Sequence, residues 1–135
     1  MSKPPIDAHL VWEGDLRFAT ESGPARLTLD GQGAAGPSPM QALAMGLAGC
    51  MAIDVVDIIR KGRHPVTGLE ARLSAQRAED PPRRFTAVTL HYVVSGAVPV
   101  AVVERAIALS REKYCSVWHS MRQDIALETS FEVRP

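Results

Sequence analysis

The sequence predicts an α+β protein built from antiparallel sheet and two helices. Segments in which apolar and polar residues alternate come in pairs joined by short turns, as in strand hairpins. Two longer segments, 39–61 and 99–114, instead begin at a proline and read as helices. Because the strand pairs are hairpin-like, their order with the helices favours an α+β fold over a parallel α/β fold. With 135 residues, the chain is expected to form one domain, 1–135.

The N-terminal part is predicted to form a strand over 8–20, with a bend at 13–15, and a shorter strand over 25–29. A turn at Ser22-Gly23-Pro24 separates the two strands, since glycine and proline favour turns. The loop that follows, 30–36, contains the pattern Gly-x-Gly-x-x-Gly. Its glycines stop short of the next helix and the flanking strands read as hairpins, so we expect a flexible loop and not a dinucleotide site.

The first helix is predicted to run from Pro39 to about Lys61, with Ser38 as its N-cap and Gly62 as the residue that ends it. Gln41 is the only polar side chain in its first half, so the helix is expected to be buried nearly all round. Roughly 23 residues would give a helix about 35 Å long, which is long for so small a domain. A second subunit is therefore expected to cover part of it.

The remaining elements follow from alternation and from turn residues. They are a strand around 69–76, a turn at 80–82, a strand over 85–94, a helix from Pro99 to about Tyr114, a short turn over 116–122 and a last strand over 125–133.

Composition and charge exclude several classes of protein. Fifteen basic and fifteen acidic residues leave no net charge, so nothing attracts the chain to nucleic acid or to an anionic membrane. The N-terminus lacks an apolar segment typical of a signal peptide, and no stretch reaches the ~20 apolar residues that span a bilayer. Two cysteines without a secretory signal indicate a reducing compartment, so a soluble cytoplasmic protein is expected.

The two cysteines are the best indication of chemistry. Cys50 lies inside the apolar first helix, and Cys115 follows the second helix. A thiolate is a nucleophile, and a second thiol can close a disulfide on it. A short helix after Cys115 would favour its thiolate modestly. The alternative for each cysteine is simple packing, because free cysteine is among the most buried residue types.

A reactive Cys50 needs a positive charge nearby. The nearest ionisable groups on its own helix, Asp54 and Asp57, are acidic and are expected on a solvent or subunit face. Arg17 on the first strand or Arg26 on the second could supply the charge. No metal site is expected, since two distant cysteines with single histidines do not have zinc-ligand spacing.

Two segments resemble the OsmC/Ohr family, the osmotically inducible and organic hydroperoxide resistance proteins. The segment from Gly36 through Cys50 to Gly62 resembles the family's first-cysteine helix, and the segment around Cys115, 113–117, resembles its second-cysteine segment. The opening residues 11–14 and the small-residue loop are similar to the branch often called YhfA-like. The resemblance covers nearly the whole chain.

The resemblance implies an OsmC-like fold, with antiparallel sheets wrapped around two long central helices in an intertwined homodimer. It also implies that Cys50 is the peroxidatic thiol, Cys115 the resolving thiol and Arg17 the candidate cation. Organic hydroperoxides would be the substrates and a thiol or lipoyl group the reductant, with no cofactor. The residues that would line the substrate site are Met40, Gln41, Leu43, Leu47 and Met51.

One position departs from the family pattern. Active members carry a glutamate directly after the helix-starting proline, where this chain has Met40. The resemblance implies that this glutamate holds an arginine over the thiolate, so a slower or different thiol activity is expected here. Two other functions stay open: a non-enzymatic dimer that binds an apolar ligand in its interface cleft, and a dimeric stress protein with no small-molecule role.

Overall fold

The computed structural model describes residues 3–135. The chain divides between Leu43 and Ala44 into two compact units. The first unit contains a sheet of three short antiparallel strands. The strands are β1 (His9–Gly14), β2 (Arg17–Ser22) and β3 (Ala25–Asp30), in the order β1-β2-β3. The predicted strand over 8–20 is therefore two strands. Gly14 and Asp15 both have positive φ, which turns the predicted bend into a reversal of the chain.

The loop after β3 is organised by Asp30, which is buried. Its carboxylate accepts hydrogen bonds from the N–H groups of Gln32 and Ala35, each at 2.9 Å. Both hydrogen bonds lower the pKa of Asp30, and the bond from Ala35 has the larger effect. The Gly-x-Gly-x-x-Gly segment is thus a hydrogen-bonded turn closed on an aspartate, where the sequence predicted a flexible loop.

The long helix α1 spans Pro39–Lys61, as predicted. Ser38 caps it: the Gln41 N–H donates to Ser38 Oγ at 3.2 Å, and the Ser38 N–H donates to Gln41 Oε1 at 2.9 Å. This reciprocal pair is a capping box. At the other end the residue with positive φ is Arg63, and not the predicted Gly62.

We expect Ser38→Ala to lower the free energy of unfolding by about 1 kcal/mol, because the helix loses its capping oxygen. Ser38→Asp is the matched control, since it keeps an oxygen at the same position and should retain stability. Urea unfolding of the three proteins measures both effects. Equal stability of Ser38→Ala and the wild type would contradict the capping role.

The second unit contains a three-stranded sheet in the order β4-β5-β6. Its strands are β4 (Val66–Arg77), β5 (Phe85–Gly96) and β6 (Ala126–Arg134). β4 and β5 pair antiparallel, whereas β5 and β6 pair parallel, so the prediction of purely antiparallel sheet is wrong for this pair. The physical reason is that a helical crossover lies between β5 and β6 and returns the chain in the same direction.

That crossover is a shorter helix than predicted. α2 spans Val100–Leu109 and continues as a π-helical segment, Ser110–Tyr114, in which the Cys115 N–H donates to Ser110 O at 2.8 Å. A four-residue helix, α3 (Ser116–His119), follows. The described residues thus contain one long helix, α1.

One stripe of α1 belongs to the core of the second unit, where Leu47, Met51, Val55 and Ile59 are fully buried. By length and composition α1 could also cross a bilayer, contrary to the expectation that no stretch is apolar enough. A core helix passes the same test. The buried stripe repeats every four residues, which is the spacing of one helix face.

Candidate functional site

The two cysteine sulfurs lie close together although the cysteines are far apart in sequence. Cys50 lies midway along α1, and Cys115 is the N-cap of α3. Their Sγ atoms and a carboxylate oxygen of Asp54 all lie within 4.8 Å of one another, and both thiols are free. The prediction that the fold brings two remote thiols together is confirmed.

The two thiols differ in their surroundings. Cys50 is half-buried, whereas Cys115 is fully buried and its Sγ accepts a hydrogen bond from the Trp118 N–H at 3.3 Å. Burial raises the pKa of Cys115 to about 11, the neighbouring Cys50 adds to the rise, and the Trp118 N–H opposes it. The expected preference of Cys115 for the thiolate is therefore outweighed by burial. Cys50 is the thiol that a reagent reaches more easily.

Asp54 is the functional candidate that reasoning from the sequence missed. It lies one helical turn after Cys50 and is half-buried, while Asp57 is exposed and pairs with Lys61 at 2.8 Å. Ser110 donates its hydroxyl to Asp54 Oδ2 at 2.8 Å. The i,i+4 spacing of Cys50 and Asp54 on a helix was the available signal, because such residues share a face.

The Tyr92 hydroxyl is the second feature that the sequence did not indicate. Tyr92 lies in the middle of β5, is fully buried, and its hydroxyl has no hydrogen-bond partner among residues 3–135. Burial raises the pKa of Tyr92, and the charges of Cys115 and Asp54 raise it further. An unpaired buried hydroxyl costs roughly 1–3 kcal/mol.

The two candidate arginines lie in the first unit. Arg17 Nη1 is 3.1 Å from Asp15 Oδ2, and Arg26 pairs with Glu21. Asp15 lies in the β1–β2 reversal, two residues before Arg17, so a local carboxylate engages the Arg17 guanidinium. The assignment of Arg17 or Arg26 to Cys50 stays a prediction.

The predicted substrate-lining residues lie along the first half of α1. Met40 is half-buried, Leu43 is partly exposed, and Gln41 uses its side chain in the capping box. Leu47 and Met51 are fully buried in the core of the second unit. Their role in substrate binding stays a prediction, and core packing accounts for the last two.

A sequence model of the family described as "OsmC-like protein" matches residues 30–130. The chain is 40% identical to Protein YhfA of Escherichia coli strain K12 over 131 residues, which are 95% of this chain and 98% of that protein.

Two solved structures resemble the fold. A hypothetical protein from Aquifex aeolicus VF5 has a TM-score of 0.91 and 27% identity, covering 98% of both chains. The organic hydroperoxide resistance protein OsmC from Legionella pneumophila has a TM-score of 0.72 and 18% identity, covering 98% of this chain and 100% of that chain. At that lower identity the likeness concerns the fold alone.

Proposed function

Because the chain belongs to the OsmC-like family, which is associated with organic hydroperoxide resistance, we propose that it reduces organic hydroperoxides with its two thiols. Cys50 acts as the peroxidatic thiol and Cys115 as the resolving thiol. The observation that carries this proposal is the approach of the two Sγ atoms to within 4.8 Å. The pair needs no bound cofactor, since both electrons come from the sulfurs.

In the first step the Cys50 thiolate attacks one peroxide oxygen. The O–O bond breaks, an S–O bond forms, and the alkoxide leaves and takes up a proton to become an alcohol. Cys50 supports this role because it is half-buried, whereas Cys115 is fully enclosed. The product is a sulfenic acid on Cys50.

In the second step Cys115 resolves the sulfenic acid. Its sulfur attacks the Cys50 sulfur, the S–O bond breaks, and the hydroxyl leaves with the Cys115 proton as water. The sulfurs, which lie within 4.8 Å of each other, must approach to about 2.05 Å for the bond to form. An external thiol or lipoyl dithiol then reduces the disulfide and completes the cycle.

The rate is expected to be lower than in family members that carry the helix-start glutamate. Met40 stands at that position and offers no charge to hold an arginine over Cys50. Arg17 is therefore proposed as a cation that acts without this support. Met40, Gln41, Leu43, Leu47 and Met51 are retained as the proposed substrate wall.

We further propose that residues 1–135 act as one OsmC-like domain in a cytoplasmic homodimer. Family members are generally dimers. Within the second unit, α1 leaves Met45 62% exposed and Ile53 70% exposed, on a helix that is apolar through most of its length. A second copy of the chain would cover these side chains, and light scattering measures the mass directly.

The test is oxidation of the reduced protein by an organic hydroperoxide, with cumene hydroperoxide as the probe. We expect the intact mass to fall by two hydrogens and both free thiols to disappear, because one Cys50–Cys115 disulfide forms within a chain. Peptide mapping identifies the linked residues. Two surviving thiols after excess hydroperoxide would overturn the proposal and favour the non-enzymatic ligand-binding function.

A further inference from the structure

A cluster of three metal-ligand side chains lies in the second unit. We propose that Cys50, Asp54 and Cys115 form a binding site for a divalent cation of the zinc class. This inference does not depend on peroxide chemistry, since it concerns the reduced thiols alone.

The donor set matches such a cation in number and type. Zn²⁺ takes thiolate sulfur at about 2.3 Å and carboxylate oxygen at about 2.0–2.2 Å in tetrahedral geometry, which separates ligand atoms by roughly 3.5–3.8 Å. The three ligand atoms lie within 4.8 Å of one another, so a contraction of at most about 1.3 Å brings them into place. Two sulfurs disfavour magnesium and calcium, and the carboxylate disfavours copper(I).

The surroundings orient these ligands as a metal site requires. The Ser110 hydroxyl holds Asp54 Oδ2 at 2.8 Å, and the Trp118 N–H holds Cys115 Sγ at 3.3 Å. Such outer hydrogen bonds fix the ligand direction in metalloproteins. Asp54 forms no ion pair with a lysine, arginine or histidine of the described residues, so a bound cation would supply its counter-charge.

The Tyr92 hydroxyl is an independent indication of a missing ligand. It is fully buried and unpartnered within residues 3–135, and both Cys115 and Asp54 act on it electrostatically. A water on the open fourth position of a tetrahedral cation would give this hydroxyl an acceptor. A surface pocket lined by Asp54, Ile58 and Tyr114, among others, provides a route from solvent to the carboxylate.

The experiment uses the full-length protein, reduced with a phosphine and freed of metal with a chelator that is then removed. Co²⁺ is the probe, because tetrahedral thiolate coordination gives intense d–d bands and a sulfur-to-metal charge-transfer band. We expect saturation at one Co²⁺ per chain and bleaching of the bands when Zn²⁺ displaces it. Absence of these bands in the reduced wild type would overturn the proposal.

Asp54→Asn tests the carboxylate, and Asp57→Asn is the matched control. We expect Asp54→Asn to weaken binding by at least about 10-fold, since even loss of an outer-shell partner costs 10–100-fold. Asp57→Asn should bind like the wild type, because Asp57 is exposed and pairs with Lys61. Equal affinity of the two variants would contradict the site. If Asp54→Asn does not fold, Cys50→Ser removes another proposed ligand, and its Co²⁺ affinity is compared with that of Asp57→Asn in the same way.

The outcomes separate this proposal from the peroxidase proposal. Metal binding is measured without peroxide, and disulfide formation is measured in metal-free protein. A protein that binds Co²⁺ but keeps both thiols under hydroperoxide supports the metal site and refutes the peroxidase. The reverse pattern refutes the metal site alone.

Discussion

Replacing Cys50 with serine is expected to reduce hydroperoxide consumption to the uncatalysed background. A serine hydroxyl is not ionised near neutral pH, so it cannot replace a thiolate as the nucleophile. Cys50 is half-buried and serine differs from cysteine by one atom, so the variant is expected to fold. Consumption of cumene hydroperoxide in the presence of a dithiol measures the effect, with circular dichroism as the check on folding.

Cys115→Ser is the matched variant, and its expected behaviour is different. In the absence of an external thiol the first step survives, so one equivalent of hydroperoxide is consumed and the reaction stops at the Cys50 sulfenic acid. Dimedone labelling and intact mass detect that intermediate. Full turnover in Cys50→Ser, or a dimedone-labelled sulfenic acid on Cys115 in that variant, would contradict the assigned roles.

Truncation of the buried stripe of α1 is expected to have the largest effect on stability. Ile59 is fully buried at the C-terminal end of that stripe, beyond the thiol cluster. Ile59→Ala should lower the free energy of unfolding by about 2–5 kcal/mol, because it removes buried methyl groups and leaves a cavity. Urea unfolding at fixed protein concentration measures the change.

Ile6→Ala is the matched control for Ile59→Ala. Ile6 is 91% exposed, so the same substitution should change stability by less than about 0.5 kcal/mol. Similar losses for the two variants would show that the burial of the α1 stripe does not contribute as proposed. A loss confined to Ile59→Ala would support it.

Local signals predicted the boundaries of α1 well because each boundary depends on one or two residues. Ser38 and Pro39 mark the start of α1, and the chain reverses just beyond Lys61. Alternation likewise located β4, β5 and β6. Strand direction was not predictable in this way, since alternation reports which face is buried and not which way a neighbouring strand runs. The parallel pairing of β6 with β5 depends on the crossover between them.

The residues of the candidate site likewise fall into those that the sequence indicated and those that only the folded structure revealed. Cys50 and Cys115 were evident from their side-chain chemistry and from the resemblance of their segments to the OsmC/Ohr family. The sequence indicated Asp54 as an unfavourable neighbour of a thiolate on a solvent or subunit face, and its place beside both sulfurs was missed. Ser110 could not have been found, because the π-helical segment that carries it depends on how α2 ends.

The amino-acid order alone sufficed for the α+β class, for the length and N-terminal cap of α1, and for the choice of the two thiols as candidate reactive groups. These properties depend on neighbours within one or two helical turns. Long-range packing decided the rest: which sulfur is enclosed, which carboxylate faces it and which buried hydroxyl is left without a partner. Burial and distance between remote segments exist only after the chain has folded, and they determine the reactivity of a thiol.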